Sequence, residues 1–404
     1  MKVRHEPART HKISFSRKML RLPKSIKFIS LLMLIYYLGW GLVDPFLTIY
    51  FKEKLISYTN LSIVFAVFPL FSIAWFLLLG TMLDKFSKKG IINLTLLCYL
   101  PISLIILSLT KFSHFIFYRL YHSFVASSLW VSAESYVREH SFNKNRKEAF
   151  GFFDSIWGLA LVIGPFLGGI LISVLGYSLF YAVSIFSVLA LIVSFFLPDN
   201  RKFKFVNPIK FINFKKEFLN FKENKPLIKV TIFRSLVAFS TAAVYMLLPL
   251  FLKETGANFF EIGVIISLFY LPVILESYFS TQDSKKMVIF GLTFGSLLFL
   301  LMFFVKNTYL LFFISILLGI SFSSLIPNIQ GRITKCISKD VICEMSSVVS
   351  SIKNSALVAG ILLGGLISDF AGLRYIFLLS FAVFFILLLI ILLSKKDVFN
   401  LTEE

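Results

Sequence analysis

The sequence predicts an all-α membrane protein of twelve transmembrane helices arranged as two parallel six-helix repeats, with both termini cytoplasmic. Three observations carry this. Of the 404 residues 57% are hydrophobic and 15% charged, and the mean hydropathy is +0.85, values that belong to a chain whose main solvent is lipid. Apolar runs recur along its whole length, each long enough to cross a hydrocarbon core of ~30 Å at ~1.5 Å per residue. The chain also aligns on itself at an offset of 196 residues.

In chain order the predicted spans are 27–51, 60–80, 91–110, 113–136, 150–173, 179–197, 227–252, 261–281, 286–305, 308–328, 346–368 and 374–394. A basic tail, 1–26, precedes them and carries no apolar h-region, so the first helix is expected to act as the targeting signal. Residues 27–197 and 227–394 then form two bundles, joined by a basic linker, 198–226, and followed by a tail, 395–404. The linker alternates Phe or Ile with Lys. Its Phe203, Phe205, Ile209, Ile212 and Phe218 would lie on lipid headgroups while lysines face anionic lipid, or the segment simply holds topology.

Charge placement tests the count of spans. The net charge of +20 would suggest nucleic acid in a soluble protein, but its distribution says otherwise. With Lys27 and Arg374, at the edges of their spans, counted with the adjoining segments, 31 Lys and Arg fall on the face of the termini and 6 on the other, with Arg119, Lys229, Arg234 and Lys353 inside spans. By the positive-inside rule the rich face is cytoplasmic, and one missed span would have scrambled the asymmetry. Cys98, Cys336 and Cys343 have neither disulfide nor metal-ligand spacing.

The repeat is densest late in each half. Ser155–Gly169, SIWGLALVIGPFLGG, aligns with Ser351–Gly365, SIKNSALVAGILLGG, at nine identities in fifteen, and Gly176 aligns with Gly372. Earlier the offset drifts to about 200, where YFKE at 50–53 faces FLKE at 251–254. Because six is even, both copies insert with the same orientation.

The loop after the second span reads Gly80-Thr-Met-Leu-Asp84-Lys85-Phe-Ser87-Lys88-Lys89-Gly90. Glycine admits a neighbouring helix, Asp84 suits the positive N-terminus of the next one, and the lysines can reach acids at the base of another helix. Glu134, Glu139 and Asp154 are the expected recipients of this latch. The loop resembles the signature of the major facilitator superfamily, Gly-x-x-x-Asp-Arg-x-Gly-Arg-Lys, with Lys85, Ser87 and Lys88 departing from it. Arg119 stands where that family often has an intramembrane arginine, and Arg146-Lys147-Glu148-Ala149-Phe150-Gly151 opens the fifth helix in the family's manner. Gly158 with Gly164-Pro165-Phe-Leu-Gly168-Gly169 is similar to the Gly-Pro motif of its antiporter branch, where Pro165 would kink a rocking element. The resemblance implies the major facilitator fold and proton-coupled export of a small, lipophilic solute, with no cofactor beyond the proton gradient. It implies a monomer in a bacterial-type inner membrane, with a small-molecule substrate and no nucleic-acid partner.

Ionisable residues inside spans are the functional candidates, since each is costly in hydrocarbon unless paired or wet. Asp44 and Arg119 fall at one depth. The resemblance implies that their helices line a central cavity, so the two are expected to meet there, with His122 on the same face as Arg119. Protonation of Asp44 freeing Arg119 would make a switch; a static ion pair is the alternative, as is a packing role for His122. In the other half Arg234, Glu276 and Lys353 lie toward the inner end, as a gate, an anion site or snorkelling residues. Tyr36, Tyr37, Trp40, Trp130, Tyr245 and Tyr270 are candidate cavity aromatics. Uptake of a metabolite, a membrane-embedded enzyme and a non-transporting sensor are the competing readings, and the sequence carries no catalytic constellation such as His-Glu-x-x-His or Gly-x-Ser-x-Gly.

Overall fold

The computed structural model describes residues 22–55, 57–83, 87–141, 146–198, 214–275, 284–337 and 342–393, and among them every regular element is helical. Nine described helical runs are long and apolar enough to cross a membrane. The first half comprises α1 (Lys24–Lys54), α2 (Tyr58–Leu83), α3 (Lys88–Tyr99), α4 (Ile102–Ser108), α5 (Phe112–His140), α6 (Arg146–Leu175) and α7 (Tyr181–Phe195). After α8 (Phe214–Glu223) the second half comprises α9 (Lys225–Glu254), α10 (Phe259–Tyr270), α11 (Ser284–Phe304), α12 (Thr308–Lys335), α13 (Ile342–Phe370) and α14 (Tyr375–Leu393).

The structure departs from the expected elements at three places. The predicted span 91–110 is two helices, because Pro101 has no amide hydrogen and sits as the N-cap of α4. The predicted span 261–281 begins as α10 and tightens after Tyr270 into a 3₁₀ turn, Leu271–Leu275, around Pro272. Part of the linker folds as α8, whose Phe221 is buried, while Phe218 remains exposed. Asn224 then secures the junction: its side chain caps Leu227 N–H and donates to the Cys336 carbonyl at 2.9 Å. Phe203, Phe205, Ile209 and Ile212 lie outside the described residues.

Each half uses the same contacts. In the first, α1 packs on α6 and α7, α5 on α2 and α3, and α3 on α7; in the second, α9 packs on α13 and α14, α12 on α10 and α11, and α11 on α14. The glycines explain why the helices approach so closely. A Cβ at Gly164 would stand 2.6 Å from Gly41 Cα of α1, and one at Gly168 would collide with the Leu42 carbonyl. Their partners at offset 196, Gly360 and Gly364, press in the same way on Phe239 and Ala243 of α9. Pro165 lies within α6, which stays helical through it. At the far ends of α6 and α13, Gly176 (φ +56°) and Gly372 (φ +105°) turn the chain through the left-handed region.

Two seams join the halves. The first, α6 on α10, is a backbone contact: a Cβ at Gly169 would stand 2.8 Å from the Phe259 carbonyl, and Ser267 Oγ donates to the Val162 carbonyl at 2.7 Å. The second, α13 on α2, brings Gly365 so close to Ser62 that a Cβ there would stand 2.7 Å from the Tyr58 carbonyl. Both tight contacts lie toward the lysine-poor face. Further along α6, Gly158 faces only a methyl of Val273, at 3.7 Å from its ideal Cβ, and Gly151 faces nothing within 4 Å.

Candidate functional site: a closed face over a polar interior

The lysine-poor face is shut by polar contacts between the halves. Lys253 Nζ pairs with Glu53 at 2.8 Å, and the Tyr58 hydroxyl donates to Glu254 at 2.7 Å. Lys52 Nζ lies 4.2 Å from the centre of the Tyr58 ring. These are the YFKE and FLKE segments, read from sequence only as a mark of the repeat. Asp369 of α13 completes the closure: its carboxylate accepts from Tyr58 N–H at 2.8 Å and Thr59 N–H at 2.7 Å, capping the N-terminus of α2 from the other half. Ser57 Oγ accepts from Asn60 N–H at 3.0 Å as the local cap of α2, and the start of α10 is capped within its own half by an Asn258–Glu261 capping box. Sequence reasoning missed Asp369 and Tyr58, and the doubled Lys-Glu pair was the available signal.

Beneath this closure stands Asp44. It lies deep among the helices on α1, yet its surface is exposed, which places it on the wall of an internal void. It is within electrostatic range of Arg119, of Tyr118 on α5, and of Tyr270 on α10 across the seam. Asp44 and Arg119 are therefore brought together, but no ion pair within 4.0 Å joins them. The Arg119 guanidinium instead lies over Phe65 and Phe68, 4.5 and 5.1 Å from the ring centres, and its Nε has no hydrogen-bond partner. Tyr118 flanks it without closing a hydrogen bond of ordinary geometry. Stacking on aromatic faces offsets part of the cost of a buried cation, and the carboxylate stays accessible to whatever occupies the void.

His122 is on the Arg119 side as expected, and buried. It stacks on Trp40 at 4.3 Å and 11°, and on Tyr118 at 5.7 Å and 23°. Its Nδ1 finds no partner. Trp40 and Tyr36 also belong to this buried aromatic group through Tyr99, so they pack and do not line the void.

Toward the lysine-rich end, Tyr37 forms an aromatic cluster with Trp130 and Trp157, each edge-on at 6.1 and 5.8 Å. Tyr37 lies in the field of Glu134, and Glu134 in that of Asp154; Asp154 is exposed. These two acids were expected to receive the loop lysines. Lys88 pairs with Glu139 at 3.1 Å, and Lys89 donates to the Phe195 and Leu197 carbonyls at 3.0 and 2.7 Å. Lys88, in the first turn of α3, reaches Glu139 in the last turn of α5, and Glu134 lies within electrostatic range of Arg138. Gly80 lies in α2; Asp84 and Lys85 fall outside the described residues. Ser87 takes the N-cap of α3, accepting from Gly90 N–H at 3.2 Å.

In the second half Arg234 and Lys353 lie in each other's electrostatic field, and Arg234 also in that of Tyr245. Tyr245 is in turn within range of Tyr270. Glu276, expected with them, falls outside the described residues. No group of three or more His, Cys, Asp or Glu among the described residues has the placement to hold a metal ion.

The family model described as Major Facilitator Superfamily matches residues 29–282 and again 236–400. The multi-drug resistance efflux pump PmrA homolog of Lactococcus lactis subsp. lactis is 24% identical over 227 residues, 53% of this chain and 55% of that one. Quinolone resistance protein NorA of Staphylococcus aureus is 26% identical over 166 residues, 41% of this chain and 43% of that one. The chain thus spans about half the length of the curated relatives it matches. Among solved structures the nucleoside transporter NupG superposes with a TM-score of 0.75 at 15% identity, over 93% of this chain and 100% of that one, a likeness of fold.

Proposed function

The chain belongs to the Major Facilitator Superfamily, and from that premise we propose that this multi-pass transporter exports a small solute by alternating access, driven by protons entering at Asp44. The carrying observation is a polar void that holds an exposed carboxylate beneath a face closed by interlocked contacts between the halves. That combination is what one end-state of an alternating-access cycle requires: a barrier on one side only, made of contacts weak enough to part. In this reading the lysine-poor face is external and the conformation is inward-open. Twelve crossings follow if the long Glu148–Phe195 run counts as two spans divided at Gly176, and if α5 and α10 also cross. The domain limits 27–197 and 227–394 then frame two bundles in the bacterial inner membrane, working as a monomer with the basic linker on anionic lipid.

Asp44 is the group suited to coupling. It is the one acid of α1 placed in the void, has no salt-bridge partner, and sits where occupancy by solute and protonation compete. The efflux relatives support the export direction. The test is proteoliposome flux under an imposed pH gradient across a panel of dyes, sugars, amino acids and nucleosides. Solute-dependent proton movement is expected; its absence across the panel rejects coupled transport.

A further inference from the structure

Among the described residues, Arg234 and Lys353 stand inside the second half with no carboxylate in a salt bridge to either. The glycine contacts fix how they meet. Gly360 lies on Phe239 and Gly364 on Ala243, so α13 and α9 run parallel with a constant difference of 121 in residue number. Lys353 is then level with position 232 of α9, within one turn of Arg234. Each side chain is only partly exposed, Arg234 Nε has no hydrogen-bond partner, and among the described residues no carboxylate pairs with either. Two cations this close, partly withdrawn from water, repel each other and are incompletely hydrated. An arrangement of that kind is stable when an anion completes it.

The repeat shows what stands at the matching place in the first half. Trp157 aligns with Lys353 at offset 196, and it belongs to the Tyr37–Trp130–Trp157 cluster. The two copies thus present an aromatic wall and a cationic wall at corresponding depths.

Resting on the transport reading above, we propose that the central void binds an aromatic solute carrying an oxyanion, a carboxylate or a phosphate, with the charged group held by Arg234 and Lys353. Its ring lies against Tyr37, Trp130 and Trp157. Arg234 supplies a planar, bidentate fork and Lys353 a point charge.

The test uses the full chain in lipid nanodiscs and two flat fluorescent probes of opposite charge, carboxyfluorescein and ethidium, read by anisotropy. Carboxyfluorescein is expected to bind. Arg234→Gln with Lys353→Gln should lower its affinity relative to that of ethidium by about tenfold or more, while Arg234→Lys with Lys353→Arg, which keeps both charges, should retain most of it. Displacement of bound carboxyfluorescein by 1-naphthoate or by 1-naphthyl phosphate separates the two oxyanion classes. Binding of ethidium alone, or an equal loss of both probes in the Gln variant when the Lys/Arg variant is also lost, overturns the proposal. Failure of transport is distinguishable, because binding is measured without a gradient: anion binding with no flux of either probe in proteoliposomes would reject the transport reading and keep the site.

Discussion

The two halves are built alike where helices touch and differ at positions outside those contacts. Gly164 and Gly168 lie on α1 as Gly360 and Gly364 lie on α9, yet Trp157 in one copy is Lys353 in the other. A close helix contact tolerates no side chain beyond hydrogen, so those positions are fixed by sterics in both copies. A cavity wall has no such requirement and is free to diverge. At the closed face α10 carries its own cap, whereas α2, whose Asn60 N–H is capped locally by Ser57, also takes Asp369 from the opposite half. One seam is therefore held by close backbone fit and a serine-to-carbonyl hydrogen bond, and the other also by charge.

The strongest way to break the comparison is to fill a helix contact. Gly168→Leu and Gly364→Leu should each destabilise the protein by about several kcal/mol or prevent folding, since the Leu42 carbonyl in one and the rigid Ala243 Cβ in the other block relief of the overlap. Matched losses of Tm in detergent, measured by intrinsic fluorescence, would establish that both copies are held alike; tolerance at one position would show that the scaffold is not symmetric. Asp44→Asn addresses the divergent walls. It is expected to cut pH-driven flux about tenfold or more while solute exchange at equal pH persists, and unchanged pH dependence would remove Asp44 from coupling.

Smaller effects separate the two seams. Asp369→Ala removes a cap worth about 1 kcal/mol only from the closed state, so labelling of a cysteine placed at the closed face, beneath Tyr58, should rise several-fold. Asn258→Ala removes a cap of similar size from both states and should lower Tm without changing that labelling. If the two variants label equally, the borrowed cap has no role in closure. Glu53→Gln should have the least effect, because Glu53 and Lys253 are more than a third exposed and such pairs contribute about 0.2–1 kcal/mol. A modest rise in labelling that salt reproduces in the wild type is the expected result.

Much of the fold was legible because it rests on long-range regularities: hydropathy marks spans, lysines mark faces, and the glycine spacing marks the repeat. The break at Pro101 and the tightening at Pro272 were legible in principle, since each proline removes a backbone donor, but a run of apolar residues hides them. The pairing of Asp44 with Arg119 could be anticipated only as proximity. Whether the guanidinium turned to the carboxylate or to Phe65 and Phe68 depends on side-chain rotamers, which no spacing encodes. Asp369 was invisible for a different reason. At the end of an apolar helix it reads as an interfacial acid, and its partners are two backbone amides 311 and 310 positions away.

Those two amides have a further use. In the closed state Tyr58 and Thr59 N–H are tied to a carboxylate of the other half; once the halves part, only water is there to receive them. Their exchange with deuterium therefore runs at the rate set by the fraction of time the face is open. The first turn of α2 is a clock for the cycle, already written into the backbone and readable without any label.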